Sequence, residues 1–259
     1  MTPRHFRRGN CCRQWCALLV SFWHPMQEFL KKHLPFEGDR FNPPAHLKRL
    51  RVDVGLAFNA PMSEMWLAED PELCVVGFEP NEDSLRLMPC GPVADFPSTG
   101  SWMKKERIGK TFFIVPCALW SRPEREMEFY KITGAIGKGP DAGCSGRWPR
   151  PELSGIITEQ VTVPAMRLSD FFDCVPWDRF SRVDYLKVDA ESSDLDILRS
   201  ASNYLERVVY ITAESHDVAG LLQAHEFVRV MTQPTADPTY FNQRFQGVPG
   251  VADIVCRQS

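Results

Sequence analysis

The sequence predicts a doubly wound α/β domain, a mostly parallel sheet covered by helices, preceded by a helical N-terminal extension. Three observations carry this. The stretch Leu50–Asn81, LRVDVGLAFNAPMSEMWLAEDPELCVVGFEPN, reads as strand, tight loop, short helix and second strand ending at an acidic residue. The stretch Val183–Leu198, VDYLKVDAESSDLDIL, makes a second strand-to-helix passage through an acidic turn. Around these two, short apolar runs alternate with helical patterns, as parallel strands joined by crossover helices do.

In chain order, residues 1–45 form the extension and linker, and residues 46–259 the α/β domain. Arg4, Arg7, Arg8 and Arg13 cluster at the start, as a solvated tail or a contact to an anionic surface. Cys11–Trp23 and Pro25–Leu34 read as two short helices. The apolar part of the first, Trp15–Trp23, falls far short of the ~20 residues a membrane span needs. His24-Pro25-Met26 follows it in place of the small residues of a signal cleavage site. In the second helix Met26, Phe29, Leu30 and Leu34 share a face that should pack on the main domain. Pro35–His46, with three prolines and a glycine, is a linker.

The first domain strand is Leu50–Val54, carrying Asp53 just before Gly55. Pro61 suits a first helical turn, having no N–H to lose, and Met62, Met65 and Trp66 are spaced to cover one face. Asp70-Pro71 stops the helix, because a residue before proline avoids the α region. Cys74–Phe78 is a short apolar run fit for a strand buried on both faces, with Glu79 at its carboxyl end. Glu82–Met88 is a short helix, Cys90–Gly100 a loop, and Lys110–Val115 a third strand followed by Pro116-Cys117-Ala118-Leu119. Glu126–Ile132 alternates like a hairpin strand. Thr133–Gly155 carries six glycines and no period, which suits a lid over a site or plain disorder.

Glu159–Val163 reads as an edge strand and Leu168–Phe172 as a short helix. Val183–Val188 is a strand, with Asp189 and Glu191 at its carboxyl end. Ser193 can cap the next helix, whose buried face is Leu195, Leu198, Ala201 and Leu205. Arg207–Ala213 is a buried strand ending at Glu214, and Val218–His225 is helical. Phe227–Met231 and Val251–Cys256 are the last two strands, joined by the turn-rich Thr232–Gly250. That makes five parallel strands and a terminal pair, one member of which runs antiparallel.

Composition narrows the function. Hydrophobic residues at 44% and charged residues at 24% are ordinary for a soluble globular chain. A formal charge of −3 gives no electrostatic case for a nucleic-acid surface. Nine cysteines without C-x-x-C spacing argue against a zinc site and for reduced thiols in a cytoplasmic compartment. Ligands of doubly wound sheets bind outside the carboxyl ends of the strands. Gly55 lets the chain pass close to a ligand there, and Glu79, about 24 residues on, is placed to accept from a ribose diol. Gly55-Leu-Ala-Phe-Asn-Ala lacks the later glycines that cradle a pyrophosphate. This favours a nucleoside ligand without phosphates, such as S-adenosyl-L-methionine, over NAD or ATP.

Taken together, VDVG at 52–55, GFEPN at 77–81, LKVDAESSDLDIL at 186–198, ITAE at 211–214 and DPTYFNQRF at 237–245 resemble the FkbM-type methyltransferases. The resemblance runs from about residue 50 to the C-terminus and leaves the first 45 residues out. It implies a Rossmann-like seven-stranded sheet with the last strand antiparallel. It also implies methyl transfer from S-adenosyl-L-methionine to a hydroxyl of a small molecule or carbohydrate. The family's first loop runs D-V-G-A-N-x-G; here Leu56-Ala57-Phe58-Asn59 shifts the asparagine and drops the second glycine. The family's D-x-E-G-x-E becomes Asp189-Ala-Glu191-Ser-Ser-Asp194.

On that resemblance the cofactor-binding candidates are Asp53, Gly55, Asn59, Ser63, Glu79, Asn81 and Ala118. Gly55 would lie against the methionine part, and Asp53 would bind its ammonium or orient the loop. Asn59 and Ser63 would meet its carboxylate or serve as helix caps. Glu79 and Asn81 would hold the ribose, and Ala118 would border the adenine. Asp189 and Glu191 are the catalytic candidates, since a carboxylate beside the acceptor can take its proton and two neighbouring carboxylates raise one another's pKa. Alternatively Asp189 binds the cofactor ammonium and Glu191 is solvated. Lys187 would pair with a carboxylate, and Glu214 with His216 is the second-choice acid–base pair. Asp189 and its neighbours leave a divalent metal conceivable, but no His/Cys/Asp cluster compels one. The competing readings are a catalytically silent binding module and, with the missing glycines against it, a nicotinamide oxidoreductase. Oligomeric state is not legible in the sequence.

Overall fold

The computed structural model describes residues 25–92, 101–132, 145–146, 158–230, 237–251 and 254. Residues 1–24, with the first expected helix and the basic cluster, lie outside that set, as does all of Thr133–Gly155 except residues 145–146.

Residues 25–31 are helical (α1), and the short strands Phe36–Glu37 (β1) and Arg40–Phe41 (β2) pair antiparallel. The central sheet is built from Arg49–Val54 (β3), Leu73–Phe78 (β4), Phe112–Val115 (β5), Val183–Val188 (β9), Val208–Ala213 (β10), Phe227–Arg229 (β11) and Thr239–Asn242 (β12). Its seven strands run β11-β12-β10-β9-β3-β4-β5. Neighbours from β10 across to β5 pair parallel, and β12 is antiparallel to both β10 and β11. The order turns back between β3 and β9, and a cleft opens at that switch point.

The helices are Pro61–Glu69 (α2), Glu82–Leu87 (α3), Leu168–Phe172 (α4), Asp194–Ser200 (α5) and Ala219–Ala224 (α6). Side chains alternate across each strand, so β4 feeds two cores, Cys74, Val76 and Phe78 to one and Leu73 and Val75 to the other. Leu50, Val52 and Val54 join Met26, Leu30 and Leu34 of the N-terminal segment, Phe171 and Phe172 of α4, and Ile197 and Leu198 of α5 in one buried cluster. On the other face Trp66 and Leu67 of α2 pack with Leu73, Val75 and Tyr185. A second, three-stranded sheet leaves the main one after β5. Ala118–Leu119 (β6) pairs parallel with Thr158–Met166 (β8), which pairs antiparallel with Glu126–Ile132 (β7).

Several expectations are corrected. The last strand is Thr239–Asn242; within the expected Val251–Cys256 strand, Val251 lies in a bend and Ile254 is helical. The proline and asparagine around Thr239–Asn242 look like turn signals in sequence. Asn242 is instead fully buried and donates from Nδ2 to the Leu205 and Val208 carbonyls at 3.3 and 3.0 Å, a tertiary satisfaction that composition does not reveal. The expected edge strand Glu159–Val163 is longer and central in its sheet, because β6 adds to its far side. In α2 the buried residues are Ser63, Glu64, Trp66 and Leu67, while Met65 is 38% exposed. A polar pair displaces the methionines there because Asp53 takes Ser63, and Arg107 (3.0 Å) and Lys104 (3.6 Å) take Glu64. In α5, Ile197 replaces Leu195 on the fully buried face. Ser193 occupies the N-cap position but makes no capping hydrogen bond.

Candidate functional site

The cleft lies at the carboxyl ends of β3, β4 and β9, with a wall from β6 and a roof from β7. Its cavity volume is about 100 Å³, and the cleft opens to solvent. Val54, Phe78, Cys117, Ala118, Leu119, Met127 and Phe129 form its apolar sides. Gly55, Glu79, Ser145, Asp189 and Glu191 bring polar atoms to it.

Five of the predicted site residues line the cleft: Gly55, Glu79, Ala118, Asp189 and Glu191. Gly55 ends β3 at φ +79°, in the left-handed region open to glycine. A Cβ there would overlap the Asp189 carbonyl oxygen, so the immediate demand for glycine comes from the approach of the β9 loop. The Asp189 N–H donates to the Val54 carbonyl at 3.1 Å and keeps the two loops in contact.

Glu79 is 6% exposed, and its carboxylate accepts the Ala57 N–H at 3.1 Å and the Asn81 N–H at 2.8 Å. Burial pushes this carboxyl up to about 7, against the pull of those N–H groups, the Leu56 N–H and the Lys187 charge. A carboxylate has about four lone-pair sites, so acceptor capacity is left for a ligand diol.

The other four predicted residues stand behind the cleft. Asp53 is 1% exposed, accepts from the Ser63 hydroxyl at 2.6 Å and lies 3.5 Å from the Lys187 ammonium. Burial raises its pKa, opposed by Lys187 and Ser63. Ser63 is thereby the support of Asp53. Asn59 donates from Nδ2 to the Ser101 carbonyl at 3.2 Å, bracing the segment that precedes β5. The N-cap of α2 is Ala60, without a side-chain cap. Asn81 caps α3 by accepting the Asp83 N–H at 3.1 Å, and it approaches the Ser145 hydroxyl at 3.5 Å.

The loop after β9 holds what the sequence reading passed over. Asp194, the last residue of the Asp189-Ala-Glu191-Ser-Ser-Asp194 run, is fully buried and accepts the Ala190 N–H at 3.0 Å and the Ser215 N–H at 2.9 Å. It ties the Asp189–Ser193 turn to the end of β10. Its alignment with the last acid of D-x-E-G-x-E was the available signal. Within that turn Glu191 and Ser192 have φ +47° and +72°, so serine holds a left-handed position where the motif has glycine. Ala57, at φ +52°, likewise stands where the family's first loop has asparagine, a residue that tolerates that region. Glu214 is pushed up to about 7 by desolvation and then by the charges of Glu191, Asp189, Asp194 and Asp237. Ser145 and Gly146 cross over this turn: Gly146 bridges to Tyr130 of β7, and a Cβ on it would come within 3.0 Å of the Glu191 Cβ. Among the described residues no group of three His, Cys, Asp or Glu side chains is arranged to hold a metal ion, and no helix is long and apolar enough to cross a membrane.

Strand order, the antiparallel seventh strand and a glycine–glutamate cleft at the switch point define a Rossmann-like methyltransferase fold. The methyltransferase FkbM domain matches residues 53–233, from the end of β3 past β11, and the chain belongs to that family. No curated protein and no solved structure matches the chain.

Proposed function

We propose that the cleft takes S-adenosyl-L-methionine and that the protein methylates a hydroxyl of a small molecule or carbohydrate. The observation that carries this is the buried Glu79 carboxylate, which lines a cleft opposite the Gly55 turn while keeping acceptor capacity. In this reading Glu79 holds the ribose diol and Asn81 fixes Glu79 through its N–H. Phe78, Ala118 and Leu119 flank the adenine, and the Gly55 turn carries the amino-acid end. When bound, the cofactor supplies a methyl carbon on a sulfonium.

The protein's own part is to orient the acceptor, exclude water and remove a proton from the attacking hydroxyl. One oxygen of Asp189 is taken by Lys187 at 3.1 Å, so Asp189 orients and Glu191 receives the proton. Glu214, already inclined to hold a proton near neutral pH, is the next acceptor along the edge. Asp53 and Ser63 support the turn from behind, and Asn59 supports the neighbouring loop. Free thiols at Cys74, Cys90, Cys117 and Cys174 favour a reducing, cytoplasmic setting.

Calorimetry with S-adenosylhomocysteine tests the reading. Micromolar binding is expected, and the absence of heat at millimolar ligand would reject it. Binding without turnover on any hydroxylated acceptor would instead favour a silent module, for which the altered first loop, with Ala57 and Ala60 in left-handed conformations, is the motivating observation.

A further inference from the structure

Lys187 does not line the cleft, yet its largely covered ammonium lies beneath it. It sits on β9 opposite Asp53 of β3 in the parallel register. Its side chain is 14% exposed and that of Asp53 2%. The ammonium lies 3.0 Å from the Gly55 carbonyl, 3.1 Å from Asp189 Oδ2 and 3.5 Å from Asp53 Oδ1. An ammonium has three donors, and here three oxygens from two strand ends surround it.

We propose that Lys187 is a positioning residue of the donor site, holding the Gly55 carbonyl and the Asp189 carboxylate in a fixed relation before any ligand arrives. The proposal rests on the reading of the cleft as a methyl-donor site. The two sides of the cleft floor are pinned independently elsewhere: the Gly55 N–H donates to the Phe78 carbonyl at 3.0 Å, and the Asp189 N–H to the Val54 carbonyl at 3.1 Å. What remains to be fixed is the Gly55 carbonyl and the Asp189 carboxylate, and Lys187 holds both. The groups that face it are Asp53, with Ser63 behind it, from β3 and α2, and Asp189 beyond its own strand. Glu79 acts on it from β4 at longer range. Burial works against its charge, but Asp53 and Asp189 outweigh that and leave the ammonium more firmly protonated than a free lysine. A compact point charge suits three convergent oxygens; a planar guanidinium does not.

Removing Lys187 alone would strand Asp53 as a buried, uncompensated carboxylate and endanger folding. The test therefore compares the full-length double variant Asp53→Asn/Lys187→Met with Asp53→Asn alone. Thermal melting checks that both fold. Affinities for S-adenosylhomocysteine and for adenosine, which lacks the amino-acid end, are measured by calorimetry. The double variant should bind S-adenosylhomocysteine at least tenfold more weakly than Asp53→Asn, while adenosine binds the two within twofold. Equal S-adenosylhomocysteine affinity within twofold overturns the proposal and leaves the donor-site reading standing. Loss of affinity for both ligands alike means general loosening and also overturns it. If the wild-type protein itself does not bind, both fall. Should the double variant fail to fold, Lys187→Arg, which keeps the charge and alters the geometry, is held to the same two affinity criteria against wild type.

Discussion

Glu79→Gln separates the energetic cost of the buried carboxyl from its role as a hydrogen-bond acceptor. Burial moves the Glu79 carboxyl from 4.5 to about 7. At 1.36 kcal/mol for each tenfold change in proton affinity, that displacement corresponds to about 3 kcal/mol. The folded protein keeps this proton up to about 7, whereas the unfolded chain releases it near 4.5. Between those two values the folded state binds more protons, so this group makes stability fall as pH rises, and its effect is flat above and below. Glutamine removes the ionisation. It also presents an amide NH₂ to either the Ala57 or the Asn81 N–H, losing one acceptor at a pH-independent cost of about 1–3 kcal/mol. The variant should be less stable than wild type near pH 4.5 and should recover by about 3 kcal/mol relative to it by pH 7.5. Urea unfolding followed by tryptophan fluorescence at a series of pH values measures that difference. The comparison with wild type cancels Glu214, which titrates in the same range. A difference that stays constant across pH would refute the argument that Glu79 is buried as an ionisable group. A saturating nucleoside ligand should stabilise wild type far more than the variant, since only the carboxylate accepts both diol hydrogens.

Two further substitutions probe the turns that shape the cleft. Gly55→Ala combines left-handed strain with a clash on the Asp189 carbonyl; it should destabilise by at least about 2 kcal/mol and abolish S-adenosylhomocysteine binding, both read by thermal shift with and without ligand. Native-like melting and affinity would mean that the β3 and β9 ends can part freely. Ser192→Gly should raise stability by about 0.5–1 kcal/mol, because relief of the left-handed serine slightly exceeds the extra unfolded-state freedom of glycine; an unchanged or lower urea midpoint would count against strain at that turn.

The predicted residues that the fold brings to the cleft share a cause. Gly55, Glu79, Asp189 and Glu191 sit at the ends of apolar runs, and a strand's carboxyl end in a doubly wound sheet faces the crevice whatever the rest of the chain does. Asp53 and Ser63 belong to the same motif, but strand alternation turns Asp53 inward, where Ser63 and Lys187 meet it. Asn59 and Asn81 serve nearby backbone, a choice that local spacing leaves open.

The sequence by itself determined the doubly wound class, six of the seven central strands and the glycine and carboxylates at their ends, because hydrophobic period and turn chemistry act over a few residues. Only the tertiary structure decided that Thr239–Asn242, with its buried Asn242, is the antiparallel strand, and that Asp194 and Lys187 bind the loops together. Those roles depend on partners distant in the chain: Ser215 is 21 residues from Asp194, and Gly55 is 132 from Lys187. A buried polar side chain takes its meaning from whichever donor or acceptor the fold carries to it, and no local pattern encodes that.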